Sequence, residues 1–332
     1  MNNIDPTGNF AIDLGKVGNA LANKAMNYVI SKVPGLNEAV SCFNLFSNAS
    51  SFFGDLGEKF KNFLNSNGFK TNEQLTAELK IQEAAKGVTG KKEVVEAQSY
   101  LSVMGFPIGS SGPNNNGVDG QAGGKTESAV KSFQKMTGME PTGIIDPETL
   151  NKMKSVAESG KNIRDLAITA HKKGVQFDIS RNSSSADFVN AIYYYAIIDE
   201  AKTGVPAAVT VAQAALETGY GKYVPIDINT GQYSYNLFGV KGKGSAGQVS
   251  IYTHEYENGV RIKIIDQFRA YNNFGESITD RSTNVFSKPR YKSLFNSNDP
   301  KEWAKGLQKA GYATDPNYAK LLTGIMDYWG LK

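Results

Sequence analysis

One carboxylate in this sequence has surroundings that suit acid catalysis. Glu217 lies in the last turn of a predicted helix that we expect Pro206 to open and Gly219 to end. Apolar residues at three- and four-residue spacing predict the buried face of this helix: Val209, Ala212 and Leu216. A carboxyl group at the end of such a helix is partly removed from water and lies at the negative end of the helix dipole. Both effects raise its pKa, as a general acid at neutral pH requires.

Two more carboxylates occur in a segment with the alternation of a β-strand. In THEYENG, Glu255 and Glu257 fall on one face of the predicted strand, and His254 and Tyr256 fall on the other. Solvated charges in a hairpin would produce the same pattern, so the spacing alone gives neither carboxylate a role.

Composition argues against several other kinds of site. The chain has one cysteine, Cys42, and two histidines, His171 and His254, in 332 residues. An intramolecular disulfide is therefore excluded, and a zinc amidase, a zinc peptidase or a Cys-His peptidase is disfavoured. We expect no cofactor and no metal ion. The net charge of +4 is too small to indicate a nucleic-acid partner, but it suits attraction to an anionic polymer.

The sequence contains no recognisable export signal or membrane anchor. The first residues, MNNIDPTGNFAIDLGK, have neither a basic start nor a long apolar run. No apolar run of about 20 residues occurs elsewhere. We therefore expect neither a signal peptide nor a transmembrane segment.

The chain divides into three predicted parts, of which residues 1–90 form a helical module of unknown role. Pro34 and Gly35 end its first helix. Apolar residues at helical spacing predict three helices: Phe10, Leu14, Val17, Leu21, Ala25 and Tyr28 in the first, Phe53, Leu56, Phe60 and Phe63 in the second, and Leu75 and Leu79 in the third. No catalytic set of residues occurs here. The module could dock, deliver, contact a membrane or simply pack on its neighbours.

Residues 91–155 combine predicted helices with the surface loop GSSGPNNNG. We expect Asp119-Gly120 to form a tight turn, Thr126 to cap one helix, and Asp146 to cap the next helix with Pro147 in its first turn. The expected core positions are Val94, Val95, Ala97, Leu101 and Met104 in the first helix and Ala129, Val130 and Phe133 in the second.

This second part resembles the small three-helix peptidoglycan-binding domain found in many cell-wall hydrolases. The matching motifs are Val118-Asp119-Gly120, Lys125-Thr126, Ala129-Val130, Phe133-Gln134, Thr142-Gly143 and the run from Asp146 to Leu150. The resemblance implies that residues 91–155 bind peptidoglycan. Gln121-Ala122 replace the usual apolar-aromatic pair after the turn, which leaves the ligand groove open to question.

Residues 161–332 resemble glycoside hydrolase family 73, the flagellar rod-cap type of N-acetylglucosaminidase. A helix capped by Ser185 and carrying Phe188, Ile192, Tyr195 and Ile198 is expected to precede the matching blocks. The blocks are AQAALETGYGK (212–222), NLFGVKG (236–242), YTHEYENG (252–259), FRAYNNFGESI (268–278), PRY (289–291) and AGYATDPNYAKLL (310–322). The resemblance implies a mainly α, multidomain protein with a lysozyme-like α lobe, a small β lobe and the substrate between them.

The same resemblance implies roles for several residues. Glu217 matches the family's catalytic acid and Glu255 its second glutamate, with Glu257 as a competing choice. Tyr312 matches a tyrosine near the scissile bond, where a phenol could orient water or the substrate's 2-acetamido group. The candidate binding residues are Asn236, for an acetamido group, Phe238, as an aromatic in the groove, and more weakly Tyr220, Tyr235 and Tyr271. Burial in the core is the alternative for the aromatic residues, and it is the expectation for Trp303 and Trp329.

The favoured function is an endo-β-N-acetylglucosaminidase acting on peptidoglycan glycan strands, in the periplasm or cell wall. A muramidase, a lytic transglycosylase, or a virion or secretion-machine component that binds the wall are the alternatives. Without a signal peptide, the expected routes are host lysis, a phage particle or a secretion machine. A phage lysin or an antibacterial secreted effector fits best. Residues 1–90 would then contact the virion or machine, and an immunity protein would be a further partner of an effector.

Overall fold

The computed structural model describes residues 72–257 and 260–332. The first two predicted helices of residues 1–90, and Cys42, lie outside the described residues. The chain divides into two compact units, residues 1–76 and residues 77–332. The second unit contains every element named below except the start of the first helix.

The described part of the chain begins with a run of helices. The predicted third helix of residues 1–90 is present as α1, although its Leu79 is 64 % exposed and does not form a buried face. The bounds are Asn72–Ala85 for α1, Lys92–Met104 for α2, Gly124–Thr137 for α3, Pro147–Glu158 for α4 and Ile163–Lys172 for α5. In α2 the expected core is confirmed: Val94, Ala97, Leu101 and Met104 are buried, and Val95 is half-buried against them.

The two predicted caps of this region have different outcomes. Asp146 caps α4 as expected, since its carboxylate accepts the Thr149 backbone N–H at 2.7 Å and Pro147 is the first helical residue. The prediction for Thr126 is wrong, because α3 already begins at Gly124. The Thr126 hydroxyl is buried instead, where it accepts the Gln98 side-chain amide at 3.0 Å. The predicted inward residues of α3, Ala129, Val130 and Phe133, are fully buried.

The remaining elements build a helical lobe and one hairpin. The prediction that Ser185 caps the next helix is one residue out, since the Ser184 hydroxyl accepts the Asp187 N–H. Pro206 likewise precedes its helix rather than forming its first residue. The bounds are Ser185–Thr203 for α6, Ala207–Thr218 for α7, Gln248–Glu257 for β1, Val260–Arg269 for β2, Phe274–Asp280 for α8, Arg281–Val285 for a π-helical turn, Pro289–Asn296 for a 3₁₀ helix, Pro300–Lys309 for α9 and Tyr318–Trp329 for α10.

Helix α6 forms the centre of the described unit. Thirteen of its 19 residues are buried, including its aromatic run from Tyr193 to Tyr195. A helix that is apolar on every side must be enclosed, and α3, α5, α7 and α8 all pack against it. The contact with α3 includes a buried polar pair, in which the Asn190 side-chain amide donates to the Ser128 hydroxyl at 3.2 Å. Helix α7, which carries Glu217, also packs against α9 and α10.

The loop before α3 and the start of α3 contact the end of α10. Lys125 Nζ donates to the Tyr328 carbonyl oxygen at 2.7 Å and lies 3.4 Å from the centre of the Tyr328 ring. The Gly109 N–H donates to the Trp329 carbonyl oxygen at 3.1 Å. The helices before and after α5 are therefore packed into one body, and a linker is not their sole connection.

Strands β1 and β2 pair as an antiparallel hairpin, which is the sheet of the described residues. The register places Glu255 opposite Ile262 and Glu257 opposite Val260. Helices dominate the rest of the described chain, so the predicted mainly α architecture with a small β lobe is confirmed. No helix among the described residues is long and apolar enough to cross a membrane.

A prediction follows from the close approach of α10 to the loop before α3. A Cβ on Gly330 would lie 2.6 Å from the Gly109 carbonyl oxygen, and the Gly330 φ of 66° already disfavours any residue with a side chain. We expect Gly330→Ala to lower the free energy of unfolding by more than the ~1–2 kcal/mol that a left-handed residue alone costs. Denaturant unfolding followed by circular dichroism measures the change.

Two glycines serve as matched controls. Gly204 has a φ of 76° but open space around its Cβ position, so Gly204→Ala reports the backbone cost alone. Gly324 lies exposed inside α10 with nothing close to it, and Gly324→Ala should be neutral or stabilise by up to ~1 kcal/mol. Equal losses for Gly330→Ala and Gly204→Ala would show that the approach to Gly109 is not tight.

Candidate active site

Helix α7 presents Glu217 at its carboxyl end. The predicted apolar face is confirmed, with Val209 and Ala212 fully buried. Gly219 follows the helix in the left-handed conformation, and its N–H donates to the Ala215 carbonyl oxygen. The Glu217 side chain remains exposed to solvent at this end of the helix.

The Glu217 carboxyl has protein on one side and solvent on the other. Its Oε1 accepts a hydrogen bond from the Tyr318 hydroxyl at 3.1 Å. The surrounding protein displaces part of the water around the carboxyl and raises its pKa, and the Tyr318 hydrogen bond opposes this shift only in part. The predicted direction of the pKa shift is thus confirmed, with burial as its cause, and the predicted contribution of the helix dipole stays a prediction. A group of this kind keeps its proton to higher pH than an ordinary glutamate.

Two stacked tyrosines stand beside this carboxyl. The rings of Tyr312 and Tyr318 lie 5.7 Å apart at an angle of 25°. Burial raises the pKa of both hydroxyls well above the ordinary value, and the Glu217 charge adds to the shift. Both phenols therefore stay neutral over the working pH range and can donate hydrogen bonds.

Two fully buried residues, Gln213 and Arg281, fix the position of the Tyr318 hydroxyl. Gln213 lies one helical turn before Glu217, and its side-chain Nε2 donates to the Tyr318 hydroxyl at 3.0 Å. Arg281, in the π-helical turn, donates from Nη1 to Gln213 Oε1 at 2.7 Å and from Nη2 to the Thr210 hydroxyl at 2.7 Å. Burial lowers the pKa of the Arg281 guanidinium, which nevertheless stays charged at neutral pH.

Sequence reasoning missed Gln213, Tyr318 and Arg281. Two of them carried a usable signal. Gln213 precedes Glu217 by four residues and so shares its helix face, and Tyr318 lies in the same matching block as Tyr312. Arg281 carried none, because nothing local indicates that a charged residue 68 positions after Gln213 lies fully buried against it.

Two predicted binding residues belong to the interior. Asn236 is fully buried, and its amide is used up: Nδ2 donates to the carbonyl oxygens of Val240 and Arg269, and Oδ1 accepts the N–H of Val240. The amide of Asn236 is therefore engaged inside the protein, and its binding of an acetamido group stays a prediction. Phe238 is buried too, with the Arg281 guanidinium 4.5 Å from its ring centre. It packs in the core, the alternative left open by the sequence, and does not line an open groove.

The predicted tyrosines also lie in different settings. Tyr271 is buried and donates to Asp280 at 2.7 Å. It borders a cavity of about 540 Å³ whose lining does not include Glu217, and the substrate-binding role of Tyr271 stays a prediction. Tyr220 lies three residues after Glu217 in a left-handed conformation, half-buried, and accepts the Trp329 indole N–H at 3.2 Å. Tyr235 packs on Phe274. The core prediction for Trp303 and Trp329 is confirmed.

The second carboxylate remains a prediction. Glu255 and Glu257 lie near the end of β1, as the alternation predicted, and the backbone places them two residues apart on one face of the hairpin. Their side chains lie outside the described residues.

Comparison with known proteins supports both resemblances. Residues 194–331 match the glucosaminidase family, described as mannosyl-glycoprotein endo-beta-N-acetylglucosaminidase, and residues 90–153 match a peptidoglycan-binding domain family. Among curated relatives, the peptidoglycan hydrolase FlgJ of Salmonella typhimurium is 39 % identical over 151 residues, covering 45 % of this chain and 48 % of the relative. The exo-glucosaminidase LytG of Bacillus subtilis is 34 % identical over 175 residues, covering 50 % of this chain and 59 % of the relative.

Solved structures also match part of the chain. A peptidoglycan hydrolase mutant from Sphingomonas sp. A1 is 40 % identical, with a TM-score of 0.38, and the match covers 43 % of this chain and 93 % of that one. The chain spans about half the length of the first curated relatives it matches. Residues 194–331 thus form a domain of the glucosaminidase family, and a domain of the peptidoglycan-binding family precedes it in the same chain.

Proposed function

We propose that this chain cleaves the glycan strands of peptidoglycan as an endo-β-N-acetylglucosaminidase with Glu217 as the general acid. The observation that carries the proposal is the Glu217 carboxyl, which has a raised pKa, one oxygen held by Tyr318 and an exposed side chain at the end of α7. The glucosaminidase family of residues 194–331 supports the reaction class. Relatives named peptidoglycan hydrolase support the substrate class.

The proposed reaction begins with proton transfer from Glu217 to the glycosidic oxygen. The bond between that oxygen and C1 of N-acetylglucosamine breaks as the proton arrives, which gives an oxocarbenium-like transition state. Water then adds its hydroxyl group to C1, and its remaining proton passes to a base. The product is a new reducing N-acetylglucosamine end.

The base or stabilising group is proposed to be Glu255, with Glu257 as the competing choice. If instead the 2-acetamido group of the substrate attacks C1, Tyr312 would orient that group.

The first test replaces the acid. Glu217→Gln keeps the shape of the side chain and cannot donate the proton, so we expect turnover to fall by at least ~10²–10⁴-fold with the fold intact. Mass spectrometry of digested sacculi measures muropeptide release and identifies the new ends. Muropeptide release near the wild-type rate would rule out Glu217 as the acid. Reducing N-acetylmuramic acid would indicate a muramidase, and 1,6-anhydro ends would indicate a lytic transglycosylase.

The second test separates the candidates for the other half of the reaction. If Glu255 holds water or stabilises the oxocarbenium ion, Glu255→Gln should cut kcat strongly while substrate binding persists, and Glu257→Gln should be mild. The opposite pattern would assign the role to Glu257. Two silent glutamate variants beside a crippled Tyr312→Phe would favour substrate assistance.

Residues 90–153 are proposed to hold the enzyme on its insoluble substrate. Deleting residues 91–155 should lower activity on intact sacculi more than on short soluble glycan fragments, because binding raises the effective substrate concentration. Helix α3 packs against α5 and α6, so circular dichroism must first show that the truncated chain retains its helices. Equal losses on both substrates would argue against a targeting role.

The site of action is proposed to be the cell wall, which is reached by host lysis, a phage particle or a secretion machine. A phage lysin or an antibacterial effector remains the favoured origin. Residues 1–90 are the proposed contact with the delivering particle, and co-purification of this segment with particle proteins would test that contact.

A further inference from the structure

A continuous series of hydrogen bonds, called here the Arg281 relay, joins the protein core to Glu217. Arg281 Nη1 donates to Gln213 Oε1 at 2.7 Å, Gln213 Nε2 donates to the Tyr318 hydroxyl at 3.0 Å, and this hydroxyl donates to Glu217 Oε1 at 3.1 Å. Arg281 and Gln213 are fully buried, and Tyr318 is 3 % exposed. Bulk water therefore does not compete for the inner bonds of the relay.

The donor and acceptor inventory fixes the direction of each bond. A guanidinium only donates, so the Gln213 atom facing Arg281 must be its carbonyl oxygen. The other end of the amide is then Nε2, which also only donates, and the Tyr318 oxygen must accept from it. The single proton of the Tyr318 hydroxyl is left for Glu217 Oε1. Arg281 thereby sets the orientation of two groups that could otherwise reverse.

The direction of these bonds determines which oxygen of Glu217 carries the proton. Because Glu217 Oε1 accepts from Tyr318, the acidic proton belongs on the other oxygen, Oε2. Among the described residues only Oε1 has a hydrogen-bond partner in the protein. We propose that Arg281, acting through Gln213 and Tyr318, is a positioning residue that keeps the catalytic proton of Glu217 on Oε2, the oxygen free for the substrate. This inference rests on the proposed role of Glu217 as general acid.

The surroundings of Arg281 support a role beyond packing. Its Nε is buried and has no hydrogen-bond partner, and the Phe238 and Phe286 rings lie against the guanidinium. The ring faces attract the guanidinium, but burying a charged group with one donor unpaired is unfavourable. An apolar side chain would fill this space without that cost, but it could not impose a direction on Gln213.

Among the side chains that the structure describes, the titratable and charged groups facing Glu217 are Tyr318 on α10, Tyr312 before α10 and, beyond them, Arg281. The Tyr318 hydrogen bond stabilises the ionised carboxylate and so works against the effect of burial on the Glu217 pKa. Loss or reversal of that bond should raise the Glu217 pKa further. The basic limb of the pH profile of kcat/KM reports the free enzyme's acid, so it should move to higher pH.

The decisive variant is Gln213→Glu, which keeps the size of the side chain and reverses the relay. Both carboxylate oxygens of the new residue accept, so one pairs with Arg281 and the other takes the Tyr318 proton. The Tyr318 oxygen then accepts from Glu217, which holds the acidic proton on the inner oxygen. We expect kcat to fall at least ~10-fold, KM to stay within about twofold and the basic limb to move to higher pH.

A matched control and a rescuing double variant distinguish a reversed hydrogen-bond direction from general damage to the structure. Gln213→Met is of similar size but cannot take the Tyr318 proton, so it should retain clearly more activity than Gln213→Glu. Adding Tyr318→Phe to Gln213→Glu removes the hydroxyl that traps the proton. The double variant should therefore be more active than Gln213→Glu alone. A purely structural role predicts the reverse, since two lesions in one buried cluster should lose more than one.

Several outcomes would overturn the proposal. They are wild-type kinetics for Gln213→Glu, equal losses for the Glu and Met variants, or a double variant no better than the single one. If Gln213→Glu does not fold, Tyr318→Phe alone decides, because an unmoved basic limb in that variant would contradict the relay. These results are independent of the Glu217→Gln test. If Glu217→Gln abolishes activity but the Gln213 and Tyr318 variants behave like the wild type, the relay is contradicted and the proposed function still stands.

Discussion

The burial of α6 is the constraint on which the rest of the described structure depends. A helix with Phe188, Ile192 and three consecutive tyrosines around its circumference cannot face water on any side. Each fully buried side chain of this kind contributes about 1.5–3 kcal/mol when covered. Helices α3, α5, α7 and α8 provide the cover, and α7 is thereby held where its final turn reaches the surface. The packing of α7 on α6 thus places Glu217 at the surface, where the Tyr318 hydrogen bond holds one of its oxygens.

The role proposed for Glu217 needs two conditions that oppose each other. Its carboxyl must be dry enough to keep a proton near neutral pH, yet exposed enough to reach a polymer. The structure meets both by enclosing one oxygen and leaving the side chain open at the helix end. The stacked Tyr312 and Tyr318 exclude water without adding charge, since burial keeps both phenols protonated.

Much of this arrangement could be predicted from local sequence signals. The helix carrying Glu217, the Asp146 cap and the buried tryptophans each depend on residues within a few positions of one another. The failures at Ser185, by one residue, and at Thr126, by three residues, arose because neighbouring hydroxyl and glycine residues offered competing starts. Asn236, Tyr271 and Arg281 could not be predicted in this way. Each is a polar residue whose hydrogen-bond partners lie outside its own local pattern, and only the folded chain shows whether such a residue faces solvent or core.

The contact between the end of α10 and the loop before α3 has a geometric consequence. When a binding domain is joined by a flexible linker, the catalytic domain can reach any bond within the length of that linker. Here the Gly109–Trp329 backbone hydrogen bond and the Lys125–Tyr328 contact hold both domains in one orientation. If residues 90–153 bind the polymer as proposed, the spacing between the bound sugar and the cleaved bond would be set by the protein and not by diffusion of a tether.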